Sequence, residues 1–234
     1  MIGERSASLE VDPWSATGLD DRPPKAVLDD FGVALETALA SGFAYVKGRR
    51  SLERKVGPWT LAVHLETSRY NRAGVCVVCD LVAYVSYARL GEWRLEHGSP
   101  FSDIGDRATY VRFERLFYKR GIFRWDLVFR DARSDMVHHT VLATHGLAVP
   151  WFDLFLTLDA NPRRLLQLDI PHLPITFAFE LWLALSTNGD GHEFVSALRS
   201  RKPDFWARME KAERMAAGEP FHFKKTLKGL GFWP

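Results

Sequence analysis

Cysteine is scarce, with two in 234 residues, and that excludes a disulfide-stapled scaffold. An excess of one charge is also lacking. Lys and Arg number 31 against 29 Asp and Glu, far from the clustered basic surface of a nucleic-acid binder. No apolar stretch approaches the roughly 18 residues that suggest a membrane span. The first residues show no charged-then-apolar leader pattern. A soluble, cytoplasmic protein with no membrane association is therefore expected. A phosphate loop, a nucleophile elbow and a metal-ligand set are missing too. No cofactor and no metal are expected, and a binding role is expected over a catalytic one.

Hydrophobic residues are plentiful at 47%, including 8 Trp and 16 Phe. That is enough for a sizeable core and excludes disorder throughout. The hydrophobic period changes near residue 130. From about Phe43 to Phe129 apolar residues tend to alternate with polar ones; from about Asp131 they recur every three or four. This switch predicts an α+β fold, a mostly antiparallel sheet with an N-terminal helix and a C-terminal group of helices. Three regions follow: a flexible arm over 1–23 with Trp14 as an anchor, an α+β domain over 24–170, and a helical extension over 171–234 packed on the same domain.

The first helix opens at Pro24 and closes at Gly42. Strands are predicted over Ser51–Val56 and from Trp59, where Trp59, Leu61, Val63 and Leu65 point one way and Thr60, Ala62, His64 and Glu66 the other. Val75–Val85 is almost wholly apolar and is expected to be covered on both faces. Gly91–Asp106, with Gly98, Pro100 and Gly105, reads as a loop or insertion. Tyr110–Tyr118 reads as a strand in preference to a short helix, and Ile122–Phe129 as a strand with Phe123, Trp125, Leu127 and Phe129 inward. Helices are predicted over Asp135–His145, stopped by Gly146, then over Pro150–Leu156, Arg163–Leu168, from Pro174 to about Ser186, over His192–Ser200, and from Pro203 to Gly218. The basic-aromatic tail packs back through Phe221, Phe223, Phe232 and Trp233.

Cys76 and Cys79 have C-x-x-C spacing, but in a strand positions three apart face opposite sides, which favours two structural thiols. His138, His139 and His145 lack a third ligand beyond Asp135. Asn188–Glu193 resembles a calcium loop without its terminal glutamate; a helix cap from Asp190 and Glu193 explains it. The polar face of the sheet is more informative. His64, Glu66, Asp80, Tyr84, Arg112, Glu114, Arg124 and Asp126 are expected to project to one side. His64, Asp80, Tyr84, Arg112, Glu114 and Arg124 are the ligand-binding candidates, able to hold an anion or to work as acid and base. A solvated face with cross-strand ion pairs accounts for the same residues. A buried Asp80 would need a cation, supplied by Arg112 or Arg124. A deep pocket with Asp80, Tyr84 and Arg112 is expected if the face binds a ligand. Trp93 and Phe101, in the presumed loop, are interface candidates.

The helix end Ala38-Leu39-Ala40-Ser41-Gly42-Phe43, the basic stretch Lys47-Gly48-Arg49-Arg50, and His145-Gly146-Leu147-Ala148-Val149-Pro150-Trp151-Phe152 together resemble the bacterial domain-of-unknown-function 4304 family over about residues 25–170. The resemblance implies the same α+β architecture and transfers no site residues. By association it implies a small partner-binding protein, immunity- or regulator-like. Another protein is thus the expected partner. The alternatives are a small-molecule enzyme or binder using the polar sheet face, and nucleic-acid binding by the basic C-terminal helices, which the charge balance disfavours.

Overall fold

The computed structural model describes residues 18–40, 42–116, 124–186, 190–211 and 218–233. Trp14, Phe123 and most of the expected arm lie outside the described residues. The fold is α+β. Its sheet comprises β1 (Ala44–Val46), β2 (Ser51–Val56), β3 (Trp59–Thr67), β4 (Val78–Tyr87), β5 (Arg107–Arg112) and β6 (Arg124–Asp126), all antiparallel. The order is β1-β2-β3-β4-β5, and β6 pairs with the first part of β4 while β5 pairs with the rest.

Alternation along β3 sets the two faces. Trp59, Leu61, Val63 and Leu65 are buried, and across the register Leu52, Leu81, Ala83, Val85 and Tyr87 share their side. This apolar face meets α1 (Pro24–Leu39) and the helical segment containing α4 (Arg133–Ala143) and α5 (Val149–Leu156). Trp59 packs on Tyr87 and Phe155, at ring-centroid distances of 4.6 and 6.2 Å, and its indole donates to Asp159 at 3.0 Å. A buried indole N–H needs such an acceptor. The opposite face of β4 is half-exposed. Of its positions only Val82, at 1% exposure, is deeply buried, whereas Asp80, Tyr84 and Ser86 reach solvent. The apolar run from Val75 thus misled: Val75 to Val77 precede the strand, and within it one side is polar.

Gly32 shows how tightly α1 sits. A Cβ there would lie 2.2 Å from the Tyr45 ring, and the Tyr45 hydroxyl donates to Asp29 at 3.1 Å, so the ring is held in place. Gly32→Ala is expected to lower stability by about 1–3 kcal/mol, read from the midpoint of urea unfolding; an unchanged midpoint would show that the ring moves freely.

Several expectations are corrected. Gly91–Asp106 is not a loop throughout: α2 (Ala88–Glu96) and a 3-10 turn over Ser102–Ile104 occupy it. Gly91 serves close approach, since a Cβ there would stand 3.2 Å from the Asp106 backbone nitrogen. Gly146 does not stop a helix. It lies in a π turn over Thr144–Ala148 that joins α4 to α5, with the Val149 N–H donating to Thr144. The wider turn accommodates Pro150, which has no N–H to continue the ladder. Phe113–Leu116 forms α3 rather than extending β5, and β6 is shorter than the alternation suggested, with Leu127 and Val128 buried in a turn. Pro162–Gln167 is 3-10. Ala40 takes the left-handed position that caps α1, and Gly42, two residues further on, also has a positive φ. The end of the expected arm is fixed in place: Leu19 bridges to Phe129, and the buried Asp20 carboxylate accepts from Arg22 and Arg133 at 2.8 and 2.7 Å. Those arginines hold its carboxyl well below the usual range against the opposing effect of burial.

The C-terminal helices are α6 (Ile175–Leu185), α7 (Gly191–Arg201), α8 (Pro203–Lys211) and α9 (Glu219–Gly229). They gather around Phe179, whose ring meets Phe194, Phe223 and Phe232 edge-on at 5.2 to 5.6 Å. Their tie to the sheet region is ionic and buried. Arg94 of α2 and Glu180 of α6 are both 0% exposed and pair at 2.8 Å. Glu180 also accepts from Ser99, and the remaining Arg94 donors reach the Gly105 and Arg107 carbonyls at 2.7 Å.

Candidate functional site

The register lays the open face out in rungs across four strands. Lys55, Thr60, Ser86 and Arg107 form one; Glu53, Ala62, Tyr84 and Tyr110 the next; Ser51, His64, Val82 and Arg112 the third. Glu66, Asp80 and Arg124 lie beyond. Over the first three rungs the face sinks into a groove of about 490 Å³. Ala62 makes the depression, because a methyl group stands where its neighbours on the rung carry Glu53 and Tyr84. Arg49 and His64 close one end, and Ile104, Asp106 and Arg107 the other.

The groove is polar and ordered by its own bonds. Glu53 accepts from Ser51 and Arg49, each at 2.6 Å. Tyr84 stacks on Tyr110 at 5.6 Å, carries the Arg107 guanidinium 4.7 Å over its ring, and meets the His64 ring edge at 5.8 Å. Burial raises the pKa of the Tyr84 hydroxyl. Burial pushes the His64 ring below the ordinary histidine range, outweighing the upward pull of Glu66. In its neutral form the ring has one nitrogen that donates and one that accepts. The sign follows from the depressed pKa: the unfolded chain takes up the proton first, so the stability contributed by neutral His64 is present above the ordinary pKa and is lost as pH falls toward the folded one. The His64 ring resonances are expected to titrate at lower pH in the folded protein than in a peptide; a midpoint at or above the peptide value would contradict this environment.

The sequence candidates fall into two groups. His64 and Tyr84 line the groove. Arg112 pairs with Glu66 at 2.5 Å and with Asp80 at 3.8 Å, and Arg124 sits opposite Asp80 in the register. Asp80 is half-buried and is not among the groove's lining residues, so the expected pocket with Asp80, Tyr84 and Arg112 does not form as one cavity. Arg112 instead lines a second recess of about 260 Å³ with Tyr110, Arg115 and His172. Glu114 is on α3, off the rungs. Lys55, Ser86, Arg107 and Arg49 were missed as site residues. The alternation that places Thr60 and His64 also places Lys55 and Ser86, but Arg107 follows directly on the segment read as a loop.

The other sequence features lie outside the groove. Trp93 is half-buried on α2 rather than exposed in a loop, and stacks on His97 at 4.7 Å. Phe101 packs edge-on against Phe177 at 5.3 Å. Cys79 is buried, and burial pushes its thiol up, which leaves it protonated and inert. His139 stacks on Trp125 at 6.3 Å, and among the described residues no group of three or more potential ligands is placed to hold a metal ion. Asp190 caps α7 by accepting from the His192 N–H at 2.8 Å, while residues 187–189 lie outside the described residues. In the basic C-terminal stretch, Lys224 is buried, and Arg199 and Arg208 lie over the Trp206 and Phe205 rings. These cations contribute to helix packing. In comparisons with family models, curated proteins and solved structures, nothing matches this chain.

Proposed function

We propose that this chain is a binding protein whose working surface is the open face of its sheet, with a small polar molecule seated in the groove over Ala62. The observation that carries the proposal is the 490 Å³ depression on a half-exposed face, floored by a methyl group and walled by charged and aromatic side chains. Its volume falls in the range of small-molecule sites, roughly 300–1,000 Å³. The neutral His64 supplies a proton acceptor at the same place, so turnover of the bound molecule would use the same groove. The test is equilibrium dialysis of the full chain against a metabolite extract, with retained molecules identified by mass spectrometry. Enrichment of a discrete molecule by the wild type supports the proposal; retention of none would contradict it.

Leu95 of α2, 72% exposed, favours engagement of a partner protein through that helix as the alternative. This agrees with the partner-binding role implied by the family resemblance. Leu95→Glu is then expected to abolish any complex cross-linked in source cells and to leave the groove untouched. A complex that survives the substitution would remove this alternative.

A further inference from the structure

We infer that the groove is built for an oxyanion, a phosphate- or carboxylate-bearing small molecule whose acid group sits on the rung formed by Lys55, Thr60, Ser86 and Arg107. The inference rests on the binding function proposed above and names the ligand's chemistry.

The rung places a cation at each end and two hydroxyls between them, on four adjacent strands. Its ends are three strand spacings apart, roughly 14 Å between backbones, and all four side chains line the same groove. The charges are uncommitted. Arg49 is held by Glu53 at 2.6 Å and Arg112 by Glu66 at 2.5 Å, whereas neither Lys55 nor Arg107 forms an ion pair among the described residues. Glu53 is occupied by Arg49 and Ser51, and His64 is neutral near pH 7. Asp106, beside Arg107, is the opposing charge, so the groove keeps an excess of one positive charge. An oxyanion with a hydroxyl or amine near its acid group would satisfy Asp106 as well, since a carboxylate only accepts.

Arg107 is preorganised. Its guanidinium lies over Tyr84 at 4.7 Å, which leaves the N–H edges free, and its carbonyl is gripped by the buried Arg94 at 2.7 Å. Binding an anion therefore requires little ordering of this side chain, and a guanidinium presents paired donors to two oxygens at once. Thr60 and Ser86 add neutral donors with freely rotating hydroxyls.

The test uses the isotope-labelled full chain and four probes at matched ionic strength: pyrophosphate, citrate, glucose and putrescine. A saturable shift of the Thr60, Ser86 and Arg107 amides with pyrophosphate or citrate is expected. Lys55→Gln and Arg107→Gln should each weaken that binding about tenfold, the loss of one charge-assisted contact, with amide shifts elsewhere unchanged. A preference for pyrophosphate assigns a phosphate ligand; a preference for citrate assigns a carboxylate. If neither anion shifts these amides, or if both glutamine variants bind as well as the wild type, the oxyanion assignment is overturned. The groove's binding role then stands or falls separately, on whether metabolite retention by the wild type is lost in Ala62→Phe.

Discussion

Glu180→Ala is expected to cost about 3–5 kcal/mol, a large share of the roughly 5–15 kcal/mol that holds a domain folded. The cause is the charge left behind. Arg94 is fully buried, and its Nε and Nη2 both donate to one Glu180 oxygen, at 2.9 and 2.8 Å. Removing the carboxylate strands a guanidinium in a dry interior and takes away the acceptor of the Ser99 O–H, whose oxygen keeps only the Phe101 N–H. Deleting both partners should hurt less. Arg94→Met with Glu180→Leu is expected to regain most of the loss, because two apolar side chains replace two buried charges. A residual of about 1–3 kcal/mol should persist, since the Gly105 and Arg107 carbonyls lose their donors. Guanidinium unfolding of the two singles and the double closes the cycle. A Glu180→Ala variant within about 1 kcal/mol of wild type would show that water reaches this pair. Arg94 also grips the backbone at one end of the groove, so the double variant should bind ligand less tightly than its stability alone predicts.

Ala62→Phe is expected to abolish ligand binding while leaving the fold in place. Ala62 is 8% exposed, and its methyl group points away from the apolar face, between Glu53 and Tyr84 on its rung. A phenyl ring there fills the depression instead of entering the core. Phenylalanine also suits a strand, so stability should stay within about 1 kcal/mol of wild type. The affinity for whichever molecule the wild type retains should fall at least about tenfold, a change of 1.4 kcal/mol or more. Equal affinity in the two proteins would place the ligand elsewhere on the molecule.

The two variants also mark what a sequence can and cannot reveal here. The strict alternation from Trp59 to Glu66 determines which side chains share a face, and it alone puts Thr60 and His64 on the polar side. The first helix was equally clear, because Pro24 opens it and Val27, Leu28, Phe31 and Leu35 keep a helical period. By contrast, α2 was hidden: Gly91, Gly98 and Pro100 look like loop residues, yet Gly91 is there so that the chain can pass closely over the helix. The Arg94–Glu180 pair was illegible for a related reason. Two charged residues 86 positions apart read as surface until the fold buries them together. The groove itself depends on pairing across four strands, and only the register reveals that one alanine sits among larger neighbours. Glu114 was misplaced because β5 ends at Arg112 and the chain turns into α3, a change that an apolar-polar pattern over so few residues does not encode.

Amide shift mapping of the bound ligand on the labelled full chain tests the central claim most directly. Shifts concentrated at Thr60, Ala62, His64, Tyr84 and Ser86, and absent in Ala62→Phe, are the predicted result. Shifts concentrated on Trp93 and Leu95 of α2, or on the C-terminal helices with the sheet face silent, would contradict it.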